Sequence, residues 1–228
     1  MTVTLITGAN KGIGYETARQ LTMLGHTVYI GARDLERGER AAAELGARAV
    51  QLDVTDDDSV STALAAIEEA EDHLDVVVHN AGVLDPSRDG PAALRSFDTN
   101  AVGIVRVMEA ALPLLQRSSN PNVVTISSSA GSFGAVNNPE RPEYGLTVAL
   151  YASSKAAASM LTVQYAKLHP GIKFNAIEPG TTTTDMTEAV GVTGRSVEDT
   201  ARFVVSWATL GADGPTGTFN DDAGVLPW

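Results

Sequence analysis

Apolar positions along the chain fall into two alternating rhythms. Short, nearly unbroken runs rich in β-branched residues occur at VTLIT (3–7), HTVYIGA (26–32), ARAVQL (47–52), LDVVVH (74–79), NVVTIS (122–127) and IKFNAI (172–177). Such runs fit strands covered on both faces, because side chains pointing either way are then buried. Between them lie longer stretches at helical spacing, over about 12–24, 34–45, 59–71, 92–117 and 150–168. This alternation predicts right-handed βαβ units and an α/β fold. The expected architecture is a doubly wound parallel sheet of about seven strands with helices on both faces. No Pro/Gly/Ser stretch divides the chain and no internal repeat is visible, so residues 1–228 read as a single domain.

Local punctuation sharpens this outline. Thr55, with Asp58 three residues on, has the form of a capping box before the third helix. The run Asp56-Asp57-Asp58 then reads as carboxylates at a helix N-terminus, where the dipole favours them; a divalent metal site is the alternative use of such a cluster. Residues 137–145 (NNPERPEYG) and 181–199 form the two clearest irregular segments.

Composition mostly removes possibilities. The net charge of −12, without a basic patch, argues against nucleic acid as a partner. The absence of cysteine excludes disulfides, thiolate metal sites and a cysteine nucleophile. His26, His73, His79 and His169 are scattered without ligand spacing, and no metal is expected. No window has the apolar length of a membrane span, and the N-terminus lacks the flank and length of a signal peptide. A cytoplasmic protein without a membrane partner is therefore expected.

The first candidate chemistry lies at residues 7–14, TGANKGIG, directly after a strand and opening a helix. Glycines at 8, 12 and 14 allow a tight turn and close backbone approach. The helix N-terminus offers free N–H groups to a pyrophosphate, as in Rossmann folds, although the spacing is GxxxGxG rather than GxGxxG and a plain structural turn is the alternative. The second strand ends at Arg33-Asp34. An acid there would accept from a ribose 2′-hydroxyl, whereas an arginine accommodates a 2′-phosphate. With Lys11 as a second cation, the pair outweighs one acid, which favours NADPH/NADP+ over NADH. The alternative leaves Lys11 and Arg33 as solvated charges and Asp34 as the cap of the next helix.

Taken in order, TGANKGIG, HNAG (79–82), TNAVG (99–103), ISSSAG (126–131), YASSK (151–155) and EPGTTTTDM (178–186) resemble the short-chain dehydrogenase/reductase family over essentially the whole chain. Within it, the inserted segment 137–145 resembles the branch of monomeric NADPH-dependent carbonyl reductases, which weights the expectation towards a monomer. The resemblance implies catalytic roles for Asn100, Ser128, Tyr151 and Lys155, with Ser127 and Ser129 as the alternatives to Ser128 one residue either way. It implies cofactor contacts at Gly8, Asn10, Lys11, Gly12, Ile13, Gly14, Arg33, Asp53, Val54, Asn80, Ala81 and Gly82. Tyr151, Lys155, Pro179, Gly180, Thr182 and Thr184 would complete the cofactor set. His79 stands where the family has asparagine.

The residues themselves agree with this reading. Tyr151 and Lys155, at i and i+4, share one helix face. A free phenol has a pKa of ~10, and a nearby ammonium is expected to lower it towards useful acid–base range. Ser128 would then donate to the same substrate oxygen. Phe133, Val136, Leu84 and Met186 are expected to face a small apolar ketone, aldehyde or alcohol, and Tyr144 to form a wall of the cleft. Three other readings remain. A non-catalytic NADP(H)-sensing protein would be expected to lack part of the Ser–Tyr–Lys set. A ketoacyl reductase would need a basic docking face, and a sugar-nucleotide epimerase a larger C-terminal domain.

Overall fold

The computed structural model describes residues 1–188 and 191–228. Strands β1 (Val3–Thr7), β2 (Thr27–Ala32), β3 (Arg48–Gln51), β4 (Val76–His79), β5 (Asn122–Ile126) and β6 (Lys173–Ile177) occupy the six apolar runs, shortened by up to two residues at an end. Two more follow, β7 (Thr218–Asp221) and the two-residue β8 (Gly224–Val225), so the sheet has eight strands rather than about seven. Their order is β3-β2-β1-β4-β5-β6-β7-β8, parallel throughout except for β8, which returns antiparallel to β7.

Helices α1 (Gly12–Met23), α2 (Leu35–Leu45), α3 (Asp57–Glu71), α4 (Gly90–Phe97) and α5 (Gly103–Leu115) follow the first four strands in turn. Beyond β5 come α6 (Phe133–Val136), α7 (Ala149–Leu168), α8 (Asp185–Glu188) and α9 (Val197–Ala208). One apolar core packs α3, α5 and α7 on the sheet through Leu64, Ile67, Val107, Met108, Leu115 and Phe174. A second, built on Ile6, Leu21, Ile30, Val78 and Val204, packs α1, α2 and α9 on the opposite face. The chain reverses direction across the sheet between β1 and β4. The crevice beyond the carboxyl ends of those two strands is the topological switch point, where ligands of open α/β sheets bind.

Two local expectations change. The helix read over 92–117 is interrupted by a π turn, Asp98–Val102, between α4 and α5. An inserted residue of this kind leaves apolar content almost untouched, so periodicity does not reveal it. At α3 the cap is Asp56, whose carboxylate accepts from Ser59 N at 2.9 Å. Thr55 does not cap; its N–H and hydroxyl both donate to Asp53 Oδ1. The acidic run therefore places Asp56 at the cap and Asp57 and Asp58 in the first turn.

His79 is 4% exposed, and its Nε2 has no partner among the described residues. Burial pushes the imidazole down to about 3. In the unfolded chain a histidine titrates near ~6.5, so between those values the unfolded state holds the extra proton. Stability from this group is complete above the unfolded value and is lost as pH falls through the window. Going from about pH 7.5 to about pH 5 should cost about 2 kcal/mol through His79. Urea unfolding of the native protein and His79→Asn at both pH values should differ by that amount; parallel losses would remove the assignment.

Candidate active site

The glycine turn is built by close approach. Gly8 and Gly12 adopt φ of 65° and 59°. A Cβ at Gly14 would lie 2.4 Å from Asn80 Nδ2 and 2.9 Å from Ala9 Cα, so no side chain fits there. Asn80 donates from Nδ2 to Thr7 O at 2.9 Å and Gly8 O at 3.0 Å. Thr7 Oγ1 in turn accepts from Asn80 N and Ala81 N. Thus the segment just after β4 holds the turn after β1, leaving an open cradle at the N-terminus of α1. The cradle fits a pyrophosphate in shape and in the supply of N–H donors.

At the end of β2, Arg33 is exposed and makes no ion pair among the described residues. Asp34 caps α2 through Arg37 N at 3.1 Å and pairs with the Arg37 guanidinium at 3.3 Å. Lys11 pairs with Asp185 at 2.6 Å, both well exposed. Lys11, expected as a second cation near Arg33, is engaged here in an exposed ion pair that solvent screens strongly. Asp53 is bound to Thr55, and Val54 is buried against Gly103.

On the other side of the crevice, only one of three consecutive serines is accessible. Ser127 is 2% exposed and bonds Ser159, and Ser129 is 7% exposed, while Ser128 is partly open to solvent. Ser128 Oγ accepts from Ala130 N at 3.2 Å. Helix α7 presses against this turn at Gly131, where a Cβ would stand 2.6 Å from Ala156 N. That contact sets Tyr151 and Lys155 beside Ser128. Lys155 Nζ donates to Ile126 O at 2.8 Å and lies 5.7 Å from the centre of the Tyr151 ring.

Burial pushes Tyr151 up to about 12, with the Glu178 carboxylate adding to the rise and the Ser128 hydroxyl offsetting part of it. Burial likewise pushes Lys155 down to about 8, against the pull of Glu178. The phenol is thus raised where the spacing led us to expect Lys155 to lower it, because desolvation and the Glu178 carboxylate both act against the phenolate.

Asn100, in the π turn, accepts from Val83 N at 2.8 Å and donates to Val83 O and Ser154 Oγ, both at 2.9 Å. Ser154, between Tyr151 and Lys155 on α7, is thereby tied to the π turn. Pro179 O receives the Arg195 guanidinium, and Gly180 takes φ 79°. The Thr182 hydroxyl is spent on Gly180 O and Thr200, whereas Thr184 faces Gly12. Asn10 and Ile13 lie partly exposed on the glycine turn.

Sequence reasoning passed over Glu178 and the anchoring of the inserted segment. Arg141 pairs with Glu143 at 3.0 Å and reaches Asp221 on β7 at 3.6 Å. Glu143 is 8% exposed, and Arg141 and the Ser129 hydroxyl hold its carboxyl below its usual value despite burial. The neighbouring Tyr144 and Leu146 are exposed, as are Phe133 and Met186, while Leu84 and Val136 are half-buried. The signal was present as Arg–Glu spacing in the insertion, but surface ion pairs give the same pattern.

A doubly wound sheet with a glycine cradle at its switch point and a serine turn pressed on a Tyr-x-x-x-Lys helix belongs to the class of dinucleotide-binding oxidoreductases. A sequence profile described as short chain dehydrogenase matches residues 2–193. The chain belongs to that family, the short-chain dehydrogenases/reductases, whose members use NAD(P) cofactors. It is 34% identical to the short-chain dehydrogenase/reductase ATR10 of Stachybotrys chlorohalonatus, over 99% of this chain and 94% of that protein. The structure of salutaridine reductase from Papaver somniferum is similar with a TM-score of 0.86 and 27% identity, covering 96% of this chain and 99% of that one. An RhlG/NADP active-site complex from Pseudomonas aeruginosa gives 0.82 and 26%, covering 97% and 94%. Among the described residues no helix is long and apolar enough to cross a membrane.

Proposed function

We propose that the protein is an NADPH-dependent carbonyl reductase acting on a small apolar ketone or aldehyde, with alcohol oxidation as the reverse reaction. The observation that carries this reading is the convergence of Ser128, Tyr151 and Lys155 on one side of the crevice whose other side is the glycine cradle. Gly8, Asn10, Gly12, Ile13 and Gly14 would hold the pyrophosphate, with Asp53 and Val54 at the adenine and Arg33 and Lys11 at the 2′-phosphate. Asn80, Ala81 and Gly82 would line the ribose side, and Pro179, Gly180, Thr182 and Thr184 the nicotinamide side. Bound there, the cofactor supplies the hydride.

The chain's own residues then manage the oxygen and its proton. Tyr151, with its phenol raised to about 12, stays protonated across the neutral range and suits the role of acid to a developing alkoxide. Ser128 donates to the same oxygen and stabilises its charge. Lys155 holds positive charge beneath the phenol, and Asn100 fixes the π turn against α7 through Ser154. The exposed apolar side chains Phe133, Tyr144 and Leu146 support an apolar substrate.

A panel of aldehydes and ketones, followed by loss of the reduced cofactor's absorbance, tests the reading. Turnover is expected with apolar carbonyls and NADPH. Silence across the panel, in a protein that still binds NADPH, would favour the non-catalytic sensor instead.

A further inference from the structure

Glu178 directly follows β6, and its backbone N–H donates to Asn220 O on β7 at 2.8 Å. The strand end is thus fixed before the side chain begins. One carboxylate oxygen accepts from Gly180 N at 2.8 Å, and the other accepts from Ser129 N. These two N–H groups belong to different functional loops. Ser129 follows the accessible Ser128, and Gly180 closes the Pro179–Gly180 turn. The carboxylate is half-buried and has no cationic partner within ion-pair distance among the described residues. Half-burying a carboxylate without a counter-ion is costly unless hydrogen bonds to the charged form offset the loss of water.

We propose that Glu178 is a positioning residue of the active site, coupling the Ser128 turn to the Pro179–Gly180 turn through its two oxygens and setting the charge felt by Tyr151 and Lys155. This rests on the reading of Ser128, Tyr151 and Lys155 as the reacting set. The other charged groups around the site are already matched. Glu143 is held by Arg141, which also reaches Asp221. Arg195 pairs with Asp222 and donates to Pro179 O. His79 is buried and neutral. Glu178 is therefore the negative charge left to act on the pair, and it favours both the Lys155 ammonium and the neutral Tyr151 phenol. The consequence is a site poised to give a proton to a substrate oxygen rather than to take one.

The test needs no turnover. The chain has four lysines, Lys11, Lys155, Lys167 and Lys173, so ¹³Cε-lysine NMR can follow each titration, with Lys155→Met assigning the relevant signal. The native Lys155 midpoint is expected near about 8. In Glu178→Gln it should fall by about one pH unit, and amide exchange at Ser129 and Gly180 should quicken at least about tenfold. Glu178→Asp keeps the charge but loses reach. It should restore the midpoint while leaving Ser129 exchange fast, and it serves in its own right if the glutamine variant does not fold. An unmoved Lys155 midpoint in folded Glu178→Gln, a midpoint shifted by a full unit in Glu178→Asp, or unchanged exchange in either would overturn the proposal. A shifted midpoint in a protein that reduces no carbonyl would instead uphold Glu178 and count against the proposed reaction.

Discussion

Tyr151→Phe is expected to lower kcat/KM for carbonyl reduction by at least about a thousandfold, within the range that general acid–base catalysis contributes. The substitution removes one hydroxyl and leaves the ring, which packs 5.7 Å from Lys155 Nζ. Folding should be untouched, because the hydroxyl makes no backbone contact that a secondary element depends on. Binding of NADPH should be largely kept, since the cradle is formed by Gly8, Gly12, Gly14 and Asn80 on the far side of the crevice. Steady-state kinetics and fluorescence titration on one preparation would separate the two. Retained turnover would show that another group carries the proton. A matched fall in affinity would mean that Tyr151 acts by holding the cofactor.

Arg33→Ala should weaken NADPH binding by about 10- to 100-fold, as expected for loss of one charge-assisted contact, and leave NADH binding nearly unchanged. Two observations motivate this. Arg33 is exposed and unpaired at the end of β2 among the described residues, and the half-exposed Asp34 carboxylate caps α2 and pairs with Arg37. Lys11 must leave Asp185 to assist, at small cost because both ends of that pair are solvated. Titrations of both nucleotides against native protein and variant would decide the matter. Equal affinities in the native protein would end the NADPH assignment.

The sheet was legible in the sequence because its strands are buried on both faces and thus written as apolar runs. β7 was not, since Thr218–Asp221 carries Asn220 and Asp221 and has no apolar run to mark it. The cradle and the Tyr151–Lys155 pair were legible because each rests on local spacing. The π turn at Asn100 was hidden because one extra residue in a helix does not alter composition. Glu178 was hidden for a different reason. An acid at a strand end reads as a solvated charge until Ser129, some fifty positions earlier, and Gly180 converge on it. The direction of the Tyr151 shift was missed because sequence records the neighbouring lysine but not the desolvation of the phenol or the Glu178 carboxylate beside it.

The ion pairs that fasten the inserted segment divide adjacent residues between two duties. Arg141 and Glu143 face inward and are bound to Asp221 and Ser129, while Tyr144 looks outward. Because the frame is held from within, the outward positions are free to vary without loosening the serine turn beneath them. Such a segment is an exchangeable façade on a fixed wall. A library randomised at Tyr144 and Leu146 should therefore fold as well as the native protein, since neither side chain takes part in the inward ion pairs.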